Sequence, residues 1–167
     1  GYDSESGICP RCSAVVAVNR VSLSVKGKEI VGVVGESGSG KSTLLQMIYQ
    51  DQRATSGKIF FNGIKGRDGK KLDILELPPG KISWIRNREM SMIYQNPHLG
   101  LNFNFSAGGN IAEKILGSDE KRYQAIRDKA LYFFNKIEMP CSRIDDYPNA
   151  FSGGQQQRIQ IAKALSS

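Results

Sequence analysis

Gly35-Glu36-Ser37-Gly38-Ser39-Gly40-Lys41-Ser42 satisfies G-x-x-x-x-G-K-[ST] at every fixed position, and Thr43 follows it. At this spacing Gly35, Gly38 and Gly40 let the main chain fold back until successive amides converge on one point, which suits an anion. A helix opening near Lys41 would aim the positive end of its dipole at the same point. The chemistry is the cradling of phosphates. Lys41 would reach the β- and γ-phosphates of a nucleotide and Ser42 would lend its hydroxyl to Mg²⁺, with Ser37, Ser39 and Thr43 completing the phosphate-binding set. The motif has its required flanks: an almost wholly apolar run, Ile30-Val31-Gly32-Val33-Val34, reads as a buried strand before it. Leu44, Leu45, Met47 and Ile48 read as a helix over 43–50 after it.

A second phosphate-friendly pattern lies late in the chain. Phe151-Ser152-Gly153-Gly154-Gln155, followed by Gln156-Gln157-Arg158, offers a serine cap, two glycines that permit close backbone approach, and a helix N-terminus. Alone it would be an ordinary serine-capped helix, just as Gln95 alone would be a loop residue after the short apolar run 90–94. Together, and in this order, the three motifs resemble those of ATP-binding cassette (ABC) ATPases. The resemblance implies ATP and Mg²⁺ as cofactors, with Gln95 binding Mg²⁺ and positioning the attacking water. It also implies that Ser152, Gly153, Gly154 and Gln155 meet the γ-phosphate of ATP held by a second copy, in a head-to-tail pair.

A finer resemblance covers nearly the whole chain. Ser106-Ala107-Gly108-Gly109-Asn110-Ile111 and Arg143-Ile144-Asp145-Asp146-Tyr147-Pro148, taken with the two motifs above, are similar to the ATP-binding subunits of carbon-phosphorus lyase systems for phosphonate breakdown. ATPases of dipeptide and oligopeptide importers are the alternative, since they share the P-loop wording. The lyase resemblance implies docking onto a carbon-phosphorus lyase core complex in the cytoplasm; the importer resemblance implies peripheral attachment to a membrane permease at the inner face of the membrane. In either case the segment 96–111 is expected to touch the partner. The family would continue past Ser167 into a strand bearing an Mg²⁺-binding Asp and a catalytic Glu, and later a switch His. The chain carries none of these, so it is expected to be a C-terminally incomplete domain, inactive alone, of an ATPase. A non-hydrolysing, ATP-dependent interaction module is the reading from another class.

The elements that must position these groups follow from pattern. Residues 14–25, rich in β-branched side chains, and residues 29–34 read as strands joined by Lys26-Gly27-Lys28; residues 58–63 and 90–94 read as further short strands. Residues 65–71, rich in Gly and Lys, read as an exposed loop. Helices are expected over 110–116, over 119–138 with Ser118 as cap and Ile126, Ala130, Leu131, Phe134 and Ile137 on one stripe, and over 151–165. The expected fold class is therefore α/β, a P-loop NTPase with an α/β core, an antiparallel β subdomain and a helical subdomain. Residues 1–95 would form the β subdomain and P-loop core, 96–151 the helical subdomain, and 152–167 the signature helix.

Composition bounds the rest. The 167 residues suit one domain, and no apolar run reaches the roughly 18–20 residues of a membrane-spanning helix. Residues 1–7 carry Asp3 and Glu5 with no basic, apolar leader pattern, so no signal peptide is expected. Nearly all of the +7 net charge falls in residues 53–88, where nine basic residues face Asp68, Asp73 and Glu76. The aromatics there, Phe60, Phe61 and Trp84, are too few for a base-stacking platform, so a solvated basic face is expected and no nucleic-acid partner. His98, the one histidine, reads as a solvated loop residue, and Tyr2 is the one aromatic upstream of the P-loop that could stack on adenine. Three cysteines are too few for a disulfide framework and suit a reducing compartment. Cys9-Pro10-Arg11-Cys12 is half of a zinc ribbon without its other half, and free thiols are expected there.

Overall fold

The structure is a computed structural model that describes residues 7–9, 11–65, 69, 71–117 and 120–166. Tyr2, Pro10, Ser118, Asp119 and most of the expected loop 65–71 lie outside the described residues. The chain divides into two compact units, Gly1–Ile59 and Phe60–Ser167.

The first unit carries the P-loop and one helix, α1 (Lys41–Tyr49), which closes on Gln50 in a left-handed conformation, φ 65°. Before α1 the chain differs from expectation. Residues 14–25, 29–34 and 58–59 form no ladder, and among the described residues of this unit strand pairing is confined to the isolated bridge Ile8–Val15. Ile30 and Val34 are 99% and 96% exposed. An apolar run records what a segment is able to bury; a strand also needs a neighbour along the whole of each row of its amides.

In the second unit, β1 (Phe60–Lys65) pairs antiparallel with β2 (Lys71–Asp73), Phe60 opposite Asp73 and Lys65 opposite Lys71. Asp73 then caps a short 3₁₀ turn by accepting from the Leu75 N–H. Helix α2 (Pro79–Arg88) opens with proline in its first turn, where the missing N–H costs nothing. It was not expected from sequence: its basic residues hide a single buried position, Ile85.

The core of this unit is helical. Helices α3 (Ala107–Leu116), α4 (Tyr123–Lys136) and α5 (Gly153–Leu165) pack around Ile111, Ile115, Ala130, Phe134, Phe151, Ile159 and Ala162. The expected stripe on α4 is buried at Ile126, Ala130 and Phe134, while Arg122 rather than Ser118 stands at its N-cap. Ser106 caps α3 through the Gly109 N–H. The expected strand 90–94 is irregular, and Ile93 is 49% exposed. Its main chain is held by side chains instead of by a ladder. Tyr94 exchanges two hydrogen bonds with the Gln160 amide, and the Ser91 hydroxyl donates to the Ala164 carbonyl of α5.

Candidate nucleotide site

The P-loop is assembled by its own main chain and one lysine. Gly38 and Gly40 take φ values of 81° and 85°, the left-handed region that favours glycine. Gly40 has a second reason to lack a side chain, because a Cβ there would run into the Ala17 carbonyl. At Gly35 a Cβ would come within 2.8 Å of the Ser39 hydroxyl. Gly40 is the N-cap of α1 and contributes no side-chain acceptor, so the amides of the first turn are not capped by a side chain at that position. The Lys41 ammonium folds back over the loop and donates to the carbonyls of Gly35 (2.8 Å) and Glu36 (2.5 Å) and to the Ser39 hydroxyl (3.2 Å). Ser42 is exposed and Thr43 half-buried in the same helical turn. The sequence-predicted P-loop residues are thus brought together within one unit, with a positive charge held at the centre of a turn of amides.

In the second unit, Ser152 caps α5. Its hydroxyl accepts from the Gln155 N–H at 3.4 Å, and its own N–H donates to the Gln155 side-chain oxygen at 3.0 Å, a complete capping box. Gly153 and Gly154 are exposed, and a Cβ on either would meet nothing within 4 Å. The entry to α5 is fixed from behind: Phe151 is buried, stacks edge-on with Phe134 at 6.4 Å, and lies 4.3 Å beneath the Arg143 guanidinium. Arg143 also pairs with Asp146 at 2.8 Å and donates to the Ala150 carbonyl. The Gln156 amide ties the Pro148 and Phe151 carbonyls to the helix.

Gln95 is exposed, and its carbonyl accepts from the Gln157 side chain of α5 at 3.1 Å. Gln95 is therefore tethered to the helix that begins at the signature residues. His98 is exposed and stacks on Phe103 with centroids 4.1 Å apart, so the ring has an aromatic partner. The basic stretch is less purely solvated than expected. Arg88 donates to the Gly117 carbonyl and lies over the Trp84 ring, and the Arg86 carbonyl accepts from Lys114.

Sequence reasoning missed three residues that hold this region. Gln160, 2% exposed, grips Tyr94; Asn110, fully buried, fastens residues 102–106; Lys114, 7% exposed, donates to the Arg86 and Met90 carbonyls at 2.5 and 3.0 Å. Burial, then the charges of Lys163 and Arg86, push the Lys114 ammonium below its ordinary pKa, with Glu113 pulling the other way. The available signal was a polar residue on the buried face of an amphipathic helix, a pattern that reads as partnered only once the neighbouring loop is placed.

The fold and the two glycine-rich motifs define a P-loop NTPase, and the chain belongs to the ABC transporter family, whose description matches residues 18–167. It is 36% identical to the putative phosphonates utilization ATP-binding protein PhnK of Escherichia coli K12, over 87% of this chain and 54% of the relative. It is also 35% identical to the oligopeptide transport ATP-binding protein OppF of Bacillus subtilis 168, over 95% of this chain and 50% of the relative. With the dipeptide transport ATP-binding protein DppF of Escherichia coli K12 it shares 31% identity over 98% of this chain and 46% of the relative. The chain spans about half the length of these curated relatives. Among solved structures, the ATP-binding cassette MJ0796 in its dimeric post-hydrolysis state, bound to ADP and Pi, superposes with a TM-score of 0.78 at 29% identity. That match covers 90% of this chain and 61% of the solved one.

Proposed function

We propose that the chain is the nucleotide-binding part of an ATPase subunit that binds and hydrolyses Mg-ATP for a carbon-phosphorus lyase system acting on phosphonates. The observation that carries the nucleotide half of this reading is the Lys41 ammonium, folded over the Gly35–Ser39 turn at the start of α1. A point charge held there meets the β- and γ-phosphates, and the first amides of α1 add donors to the same oxygens. Ser42 presents an exposed hydroxyl oxygen, the hard donor that Mg²⁺ takes alongside phosphate oxygens and water, so the residue fits the ion. When bound, Mg²⁺ neutralises phosphate charge. Gln95 is assigned to Mg²⁺ and to orienting the attacking water. Ser152, Gly153, Gly154 and Gln155 are assigned to the γ-phosphate of nucleotide on a second copy.

The experiment is calorimetric titration of Mg-ATP into the whole protein and its Lys41→Ala variant. Lys41→Ala is expected to lose most of the affinity, and unchanged affinity would overturn the assignment.

The lyase system is favoured by the similarity to the phosphonates utilization protein and by residues 106–111 and 143–148. The importer reading is supported by comparable identity to the peptide transport ATPases. In both, the segment 96–111 is the proposed partner surface, in the cytoplasm or at the inner face of the membrane. Purification of the tagged whole protein from phosphonate-grown cells without detergent is expected to bring lyase subunits with it. Recovery of a permease, and only with detergent, would reverse the preference.

A further inference from the structure

Cys9 and Cys12 take no part in the phosphate chemistry, yet the chain around them is folded tightly. Residues 7–9 and 11–16 double back on each other, with the Val16 N–H donating to the Gly7 carbonyl at 2.7 Å. Within it the Cys9 N–H donates to the Ala14 carbonyl at 2.9 Å and the Ser13 N–H to the Cys9 carbonyl at 2.8 Å. Ile8 and Val15 bridge antiparallel across it, and Gly7 and Ser13, with φ of 64° and 55°, supply the left-handed turns. Inside this turn the Cys9 sulfur accepts from the main-chain N–H groups of Arg11 and Cys12 and meets the Cys12 thiol. Two sulfurs thus share one side of a short turn, with amides aimed at one of them to stabilise negative charge.

We propose that Cys9 and Cys12 form a two-thiolate half-site for a soft divalent cation of the zinc class. Thiolate sulfur is the ligand such a cation prefers, and two thiolates neutralise its charge. Cys9 is half-buried and Cys12 exposed, so the ion can enter. Among the described residues no third His, Cys, Asp or Glu joins the pair, so the turn supplies two ligands, and water would fill the remaining positions. The turn runs directly into Ala17 and Val18, which lie against Gly40 of the P-loop. A cation clamping the two sulfurs would therefore stiffen the segment on which the phosphate loop rests.

The test is titration of the reduced chain with Co²⁺ and then Zn²⁺. The expected result is a sulfur-to-cobalt charge-transfer absorption that zinc abolishes at no more than one equivalent per chain. Cys9→Ser and Cys12→Ser should each lose that absorption and weaken zinc by at least about tenfold, with the far-ultraviolet circular dichroism unchanged. Absence of the absorption, or its survival in both variants, would overturn the proposal. So would a reversible Cys9–Cys12 disulfide in a chain whose reduced form takes up no metal.

Discussion

The Gln160 carboxamide pairs with both main-chain polar groups of Tyr94, accepting from its N–H at 3.1 Å and donating to its carbonyl at 3.3 Å. One side chain on α5 thereby does for Tyr94 what a neighbouring strand would do. It fixes the segment that ends at Gln95 to the helix that begins at Ser152. Gln160→Leu is expected to remove both of these hydrogen bonds and to lower stability by about 1–3 kcal/mol. Denaturant unfolding would measure the loss, and faster hydrogen exchange at the Tyr94 amide would locate it.

Asn110 accepts from the Asn102 N–H at 2.7 Å and donates to the carbonyls of Asn102, Phe105 and Ser106. It is the internal template for residues 102–106, the approach to α3. Asn110→Ala is expected to cost about 2–3 kcal/mol, since four hydrogen bonds from one buried carboxamide to the main chain are lost together. Thermal unfolding should show it, and the His98–Phe103 stack should loosen with it.

Lys114 gives a pH dependence with a definite sign. Burial is the first cause that lowers its pKa from the ordinary 10.5. The unfolded chain therefore binds this proton more readily than the folded one, and stability rises as pH climbs through the lowered value toward 10.5. Lys114→Met is expected to abolish that alkaline gain while releasing the Arg86 and Met90 carbonyls. Unfolding free energy measured against pH for both proteins checks it, and parallel curves would count against it.

How much of this was legible in the sequence depended on range. The P-loop was readable because its geometry is local: Gly38, Gly40 and Lys41 fix one another within a few residues. The same holds for the Ser152–Gln155 capping box and for the apolar stripe of α4. The strands expected at 14–25, 29–34 and 90–94 failed for the opposite reason, because strand formation is decided by a distant partner. At Tyr94 that partner is a glutamine side chain 66 positions away. Helix α2 was missed because Lys81, Arg86 and Arg88 dominate its composition, whereas only Ile85 is buried.

Ser152 supplies a prediction about assembly. Its hydroxyl and N–H are both engaged with Gln155, which leaves the amides of Gly153 and Gly154 to face outward at the exposed start of α5. In the proposed two-fold pair the same surface is used twice, so Ser152→Glu should damage both composite sites at once. Light scattering of a hydrolysis-deficient whole protein with ATP is expected to show a dimer. The Ser152→Glu form is expected to stay monomeric.

The main chain of residues 144–146 accepts the first two amides of α3: the Ala107 N–H donates to the Asp146 carbonyl at 2.8 Å and the Gly108 N–H to the Ile144 carbonyl at 2.7 Å. At Gly108 a Cβ would come within 2.8 Å of the Ile144 side chain, so alanine there is expected to cost about 1–3 kcal/mol. Thermal unfolding of Gly108→Ala in the unaltered protein and in an Ile144→Ala background, which lacks the clashing Cγ1, should show a smaller loss in the second.

That contact also bears on ancestry. Residues 106–111 and 143–148, the two stretches on which the proposed lyase reading rests, meet in an interlock at Gly108 and Ile144. Positions 108 and 144 are free to drift only in concert: a lineage that enlarged position 108 would have to trim position 144 in the same step or soon after. In a genealogy of these ATPases positions 108 and 144 would therefore count as one inherited character, and their agreement would carry the weight of a single witness.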